Sequence, residues 1–171
     1  MKELSKKIRS IPDFPKKGIL FRDITPLLQD STSFGRAVDL LAKNYQDKDI
    51  DLVVSVEARG FILGSVLAYK LGVGFIPIRK PGKLPYKVEK ATYKLEYGED
   101  SVEIHQDAIK EGDKVLIFDD LLATGGTAKA VCELVERLKG KIVGISFLIE
   151  LSELKGREKL KEYGVFSLIK Y

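Results

Sequence analysis

Apolar residues follow two rhythms along this chain. Short, nearly unbroken runs fall at residues 51–56, 74–79, 114–118, 141–149 and 165–169. A strand covered on both faces requires such a run, because every side chain meets other protein. Between the runs, apolar positions recur every three or four residues, at 34–45, 61–71, 128–138 and 153–163. Phe34, Val38, Leu41 and Tyr45 share one face of the first of these, and Ser33 is placed to cap it. Strands alternating with helices predict an α/β fold, with a mostly parallel central sheet flanked by helices on both faces.

Two stretches depart from the alternation. Residues 2–11 read as a short amphipathic helix with Leu4, Ile8 and Ile11 on one side, ended by Pro12, Pro15 and Gly18. A loop-like stretch then runs to about Asp30, yet it carries several large apolar residues, which suits a segment that covers something. Farther on, Pro81, Gly82 and Pro85 interrupt the pattern, and residues 92–97 and 101–106 alternate around Gly98-Glu99-Asp100. This predicts a two-stranded excursion standing off the main sheet, hinged at its prolines and glycine in the manner of a lid. No repeat, low-complexity tract or linker divides the 171 residues, so one domain is expected over 1–171.

Composition narrows the function classes. Lys and Arg number 29 against 25 acids, so the charge is 29 − 25 = +4. This excess is too small to argue for nucleic acid, and it fits an anionic small molecule. A lone Cys132 excludes an intramolecular disulfide or a paired-cysteine metal site, and its place in a helix predicts a small buried residue. The stretch MKELSKKIRS has no apolar core of a secretory signal, and no run approaches membrane-spanning length. A soluble cytoplasmic protein without membrane or nucleic-acid partners is expected.

The chemistry concentrates in VLIFDDLLATGGT, residues 115–127. Its apolar strand ends in an acidic tip, Asp119-Asp120. A short turn (Leu121, Leu122, Ala123) leads into Thr124-Gly125-Gly126-Thr127 and a helix. Ligands of open parallel sheets sit at such carboxyl ends. Glycines allow close approach and positive φ, and the free N–H groups of a helix start with two Thr hydroxyls form an anion cradle. Adjacent carboxylates accept hydrogen bonds from sugar hydroxyls. The combination suits a ribose 5-phosphate. Neither GxxxxGK[ST] nor GxGxxG is present. The pattern resembles the binding loop of the type I phosphoribosyltransferase family: apolar strand, two acids, two apolar residues, then small residues and Thr.

Other segments extend the resemblance to roughly residues 8–171. Glu57-Ala58-Arg59-Gly60 follows the strand at 51–56 and supplies an acid, a cation and helix-start N–H groups, which suits an anion. It resembles the family's pyrophosphate loop, where Ser often stands in place of Ala58. Peptides of that loop can be cis, and the sequence leaves Glu57–Ala58 open. Arg79, Lys80, Lys83, Lys87, Lys90 and Lys94 face a single acid, Glu89, over residues 79–94. Such a run is either a solvated loop or a cationic rim that draws in a polyphosphate. Glu96-Tyr97 resembles the lid motif of the adenine-specific branch, and residues 12–27 resemble that branch's N-terminal hood. Residues 148–160 also resemble that branch, with no site chemistry evident. His105 has no triad partners and reads as a structural or surface residue.

The resemblance implies the type I phosphoribosyltransferase fold, with a hood over about 1–33 and a flexible lid over about 80–106. It implies transfer of 5-phosphoribosyl from phosphoribosyl pyrophosphate to adenine N9, giving AMP and pyrophosphate with Mg²⁺, in purine salvage. It also implies a homodimer. On this reading Ala123, Thr124, Gly125, Gly126 and Thr127 hold the 5-phosphate, and Asp119 and Asp120 take the ribose hydroxyls. Glu57, Ala58, Arg59, Arg79, Lys80 and Lys83 surround the pyrophosphate, and Glu57 reaches Mg²⁺ through water. Phe21 stacks on the base while the backbone of Leu20 and Arg22 reads its edge. Glu96 is the candidate acid/base near the purine N7, with Tyr97 beside it, and Asp119, Asp120 and Arg59 complete the catalytic set. The rivals are another purine or xanthine phosphoribosyltransferase and a ligand-sensing regulator of the same fold that binds nucleic acid.

Overall fold

The apolar run at 115–118 lies at the centre of a five-stranded parallel sheet. The computed structural model describes residues 2–94 and 98–171. In chain order its elements are α1 (Lys2–Ser5), β1 (Arg9–Ile11), β2 (Phe21–Asp23), α2 (Thr25–Gln29), α3 (Ser31–Lys43), β3 (Leu52–Val56), α4 (Arg59–Leu71) and β4 (Gly74–Ile78). There follow β5 (Val88–Lys94), β6 (Glu99–His105), β7 (Lys114–Leu122), α5 (Gly126–Arg137), β8 (Lys141–Glu150), two short 3₁₀ turns (Ser152–Leu154, Gly156–Leu160) and β9 (Val165–Lys170). The central sheet runs β4-β3-β7-β8-β9, all parallel. This is the α/β architecture expected from the sequence.

The continuous run is explained by burial on both faces. Leu116 and Phe118 join Val53 and Leu148 in a core beneath α2, α3 and α4. Val115 and Ile117, alternating with them, join Val54, Ile145 and Phe147 in a second core beneath α5. Period two sends successive side chains to opposite faces, and each face has helices to receive them.

Several boundaries differ from the sequence expectations. The helix expected over 2–11 stops at Ser5; Leu4 and Ile8 are buried, but residues 9–11 instead pair with β2, Ile11 opposite Phe21. Three apolar positions fit either element in so short a stretch. The cap of α3 is Asp30, whose Oδ1 accepts the N–H of Ser33 at 2.7 Å, so Ser33 lies inside the helix. β7 extends through Leu122, so the acids and Leu121-Leu122 are strand rather than tip and turn, paired to β8 as far as Glu150. Where a helix was expected over 153–163, two short 3₁₀ turns end at Leu160.

The excursion exists as an antiparallel pair, β5 with β6, separate from the main sheet. β6 begins at Glu99, so Glu99 and Asp100 are strand rather than turn. The pair is not free-standing: Ala91, Val102 and Ile104 are fully buried in the core beside α5, and Arg79 bridges to Glu103.

Candidate active site

The carboxyl ends of β3, β4 and β7 open on a cleft of about 440 Å³. Its walls are Val56, Glu57, Ala58 and Arg59 from the β3–α4 turn, and Asp119, Asp120, Leu121, Ala123 and Thr127 from the end of β7 and the start of α5. Lys80, just past the end of β4, and Tyr93 of β5 complete the lining. A smaller cavity of about 60 Å³ continues into the loop, lined by Asp119 and residues 121–128.

The loop is shaped for an anion. Gly125 adopts φ +78 and caps α5, a left-handed conformation that glycine takes without steric cost. The N–H groups of the first turn of α5 have no carbonyl within the helix to bond, so they are available to an anion. Thr124 is exposed and Thr127 half-buried at the rim.

The acid pair sits at the floor. Asp120 is 6 % exposed, and its Oδ2 meets Arg59 Nε at 2.9 Å. Asp119 Oδ1 accepts the N–H of Asp120 at 2.8 Å. Burial pushes the Asp119 carboxyl well up from its usual range, and the neighbouring Asp120 charge adds to that. Burial raises Asp120 as well, against the opposing pull of Arg59. Gly60 makes the close approach of α4 possible: a Cβ there would lie 2.8 Å from Asp119 Oδ1.

The cations are committed to carboxylates. Arg79 donates to Glu57 Oε2 through Nε at 3.2 Å and a terminal nitrogen at 3.0 Å, and the Lys80 N–H donates to the other Glu57 oxygen. Burial alone would raise the Glu57 carboxyl, but these donors outweigh it and hold it below its usual value. The Lys80 ammonium bonds Asp100 and reaches the Tyr93 hydroxyl at 3.2 Å. The Glu57–Ala58 peptide is cis, which settles a point the sequence left open. An Arg–Glu pair within the β3–α4 turn is absent among the described residues. Arg59 turns to Asp120 instead, and Glu57 to Arg79.

The N-terminal segment meets the cleft's edge at Arg59. The Arg59 guanidinium lies 4.9 Å above the Phe21 ring, whose edge neighbour is Phe14 at 5.1 Å. Phe21 is half-buried, and Leu20 is exposed. The Arg22 guanidinium lies 3.7 Å over the Tyr171 ring. Lys83 is exposed and does not line the cleft, although its carbonyl accepts from Arg79 at 3.2 Å. Glu96 and Tyr97 lie outside the described residues. Sequence reasoning passed over Tyr93 and Leu121 as site residues; Leu121 stood inside the quoted motif, while Tyr93 had only its alternation in the excursion to mark it.

The chain matches the family model described as "Phosphoribosyl transferase domain" over residues 27–171. It is 60% identical over 167 residues to the adenine phosphoribosyltransferase of Halothermothrix orenii, covering 98% of each chain. It superposes with TM-score 0.97 on the crystal structure of adenine phosphoribosyltransferase from Thermoanaerobacter pseudethanolicus, at 55% identity and 99% of both chains. The Saccharomyces cerevisiae adenine phosphoribosyltransferase, crystallised with D-2,5-dideoxy-2,5-imino-altritol 1,6-bisphosphate and adenine, matches at TM-score 0.92 and 44% identity, with 98% of this chain and 97% of that one covered.

Proposed function

The chain belongs to the adenine phosphoribosyltransferases of the phosphoribosyltransferase family, and from that membership we propose how its residues divide the work. The reaction transfers the 5-phosphoribosyl group of phosphoribosyl pyrophosphate to N9 of adenine, giving AMP and pyrophosphate. The observation that carries the residue assignment is the convergence on one cleft of an acid pair and two cations, Arg59 and Lys80, beside a glycine-bearing helix start that lines the adjoining cavity.

Ala123, Thr124, Gly125, Gly126 and Thr127 cradle the 5-phosphate with backbone N–H groups and two hydroxyls. Asp119 and Asp120 accept the ribose hydroxyls. As N9 attacks C1, the bond from C1 to the pyrophosphate oxygen breaks and its electron pair leaves with pyrophosphate. The ribose turns cationic on the way, and the acid pair beneath it is placed to stabilise that charge. Arg59, Arg79, Lys80 and Lys83 neutralise the departing group, which requires the first three to exchange their carboxylate partners for phosphate oxygens. Phe21 stacks on adenine, and the backbone of Leu20 and Arg22 reads its edge. Glu96 acts as acid/base at the purine N7, balancing the proton lost from N9, and Tyr97 closes beside it.

Among the described residues no three His, Cys, Asp or Glu side chains converge as a preformed metal cage. Mg²⁺ is ordinarily held by one or two carboxylates together with substrate phosphates, and a cleft carrying Glu57, Asp119 and Asp120 fits that manner of binding. Bound there, Mg²⁺ supplies charge neutralisation for the leaving pyrophosphate. Both Glu57 oxygens are already engaged, which favours contact through water. The reading also places the enzyme in the cytoplasm, in purine salvage; no helix among the described residues is long and apolar enough to cross a membrane.

A homodimer completes the reading. The outer face of α4 exposes Ile62 and Tyr69, the latter 87 % exposed, beside the edge strand β4, where Phe61 and Phe75 pair at 5.8 Å. Large apolar side chains exposed on a helix beside an edge strand suit a second copy of the chain.

Purified protein with adenine, phosphoribosyl pyrophosphate and Mg²⁺ is expected to form AMP and to stop on chelation. The double variant Asp119→Asn/Asp120→Asn is expected to fold and to lose turnover. Turnover at the wild-type rate would remove the acid pair from the mechanism.

A further inference from the structure

The 5-phosphate loop rests on a segment far from it in sequence. A Cβ on Gly156 would lie 2.2 Å from the Ala123 carbonyl oxygen, 2.8 Å from Leu122 Cδ1 and 3.1 Å from the Gly125 nitrogen. A Cβ on Gly125 would lie 2.4 Å from the Gly156 carbonyl oxygen. The two backbones therefore pack with no room for a side chain between them. Gly156 has no positive φ to explain its identity, so the contact alone accounts for it.

This floor is fixed from both sides. Upstream, the Leu151 N–H donates to the Leu122 carbonyl at 2.9 Å, tying the segment to the last residue of β7. Downstream, Arg157 forks onto Glu150 at 2.7 and 2.8 Å and donates to the Val165 carbonyl at 2.8 Å and Ser167 Oγ at 3.2 Å. Glu150 is 5 % exposed, so its charge depends on that fork. Arg157 thereby clamps residue 156 against β8 and β9, whose backbones are rigid parts of the sheet.

We propose that Gly156, held by the Arg157–Glu150 pair, is a positioning residue for the 5-phosphate loop. It touches no substrate. It sets the height of Ala123 to Gly125, and with it the aim of the N–H groups at the start of α5. The proposal rests on the assignment of that loop to the 5-phosphate. It gives residues 148–160 a role for which their sequence offered no site chemistry.

The test compares wild type, Gly156→Ala, Arg157→Lys and Thr127→Val by calorimetric titration with ribose 5-phosphate, by separate KM values for phosphoribosyl pyrophosphate and adenine, and by thermal melting. Gly156→Ala is expected to weaken ribose 5-phosphate and raise the KM for phosphoribosyl pyrophosphate by roughly ten- to a hundredfold, the scale of an ångström misplacement. Its KM for adenine at saturating phosphoribosyl pyrophosphate should stay at the wild-type value. Arg157→Lys keeps the charge but loses the fork, and is expected to move the same two quantities less far. Wild-type affinity in Gly156→Ala overturns the proposal, as does an equal loss for both substrates alongside a collapsed melting temperature. If Gly156→Ala does not fold, the KM split in Arg157→Lys decides by the same criteria. Wild-type ribose 5-phosphate affinity in Thr127→Val would instead overturn the loop assignment beneath the proposal.

Discussion

At the scale of single residues, Asp119 and Asp120 show what the site costs the fold. Burial and like charge raise Asp119, so the folded chain holds that proton more readily than the unfolded chain does. The stability linked to Asp119 is therefore fully present below the ordinary Asp range and is lost as pH rises through the raised value. Raising the pH above the ordinary Asp range therefore costs the fold stability. Asp119→Asn keeps an acceptor for the Asp120 N–H and removes the repulsion. It is expected to raise the melting temperature at neutral pH, by about 2–4 °C for each kcal/mol relieved, while abolishing turnover. The gain should shrink in acid, where Asp119 carries its proton. A lower melting temperature at neutral pH would contradict this account of the pair. These acids were visible in the sequence because strand, acids, glycines and helix start are contiguous, each with a local rule behind it. Tyr93 and Gly156 were not, since only the folded chain brings them to the cleft and the loop.

Among the elements, the arm formed by β5 and β6 carries the sharpest difference from the sequence expectation. Alternation showed two strands but not what their apolar side would cover. Ala91, Val102 and Ile104 cover α5 and the edge of the second core. The Lys80–Asp100–Tyr93 contacts tie the arm to the segment that follows β4. Ile104→Ala is expected to destabilise the protein by about 2–5 kcal/mol in denaturant unfolding, the range for a buried Ile truncated to Ala. A change near zero would mean that the arm stands free of the core. The central strands were easy to read, since two-sided burial leaves an unbroken apolar run. Residues 2–11 and 153–163 were not, because short segments with a few apolar positions satisfy helix, strand and 3₁₀ patterns alike.

For the whole molecule, the reading joins a parallel sheet, a cleft at its carboxyl ends and a second copy docked on α4. A single chain has a mass of 19.1 kDa, so light scattering is expected to give twice that value for wild type. Ile62→Asp with Tyr69→Asp should return it to one chain, and a dimer unaffected by both changes would place the interface elsewhere. The net charge of +4 told little about this assembly, whereas the exposed apolar face of α4 needed the fold to be seen. The central claim is that this cleft joins adenine to a phosphoribosyl group and that the hood chooses the base. One measurement tests both most directly: offer the protein Mg²⁺, phosphoribosyl pyrophosphate and equal amounts of adenine, guanine, hypoxanthine and xanthine, then separate the nucleotides formed. The account predicts AMP alone. Another monophosphate would leave the ribose site standing and contradict the assignment of the Phe21 hood, and no nucleotide at all, with phosphoribosyl pyrophosphate still bound, would contradict the enzyme itself.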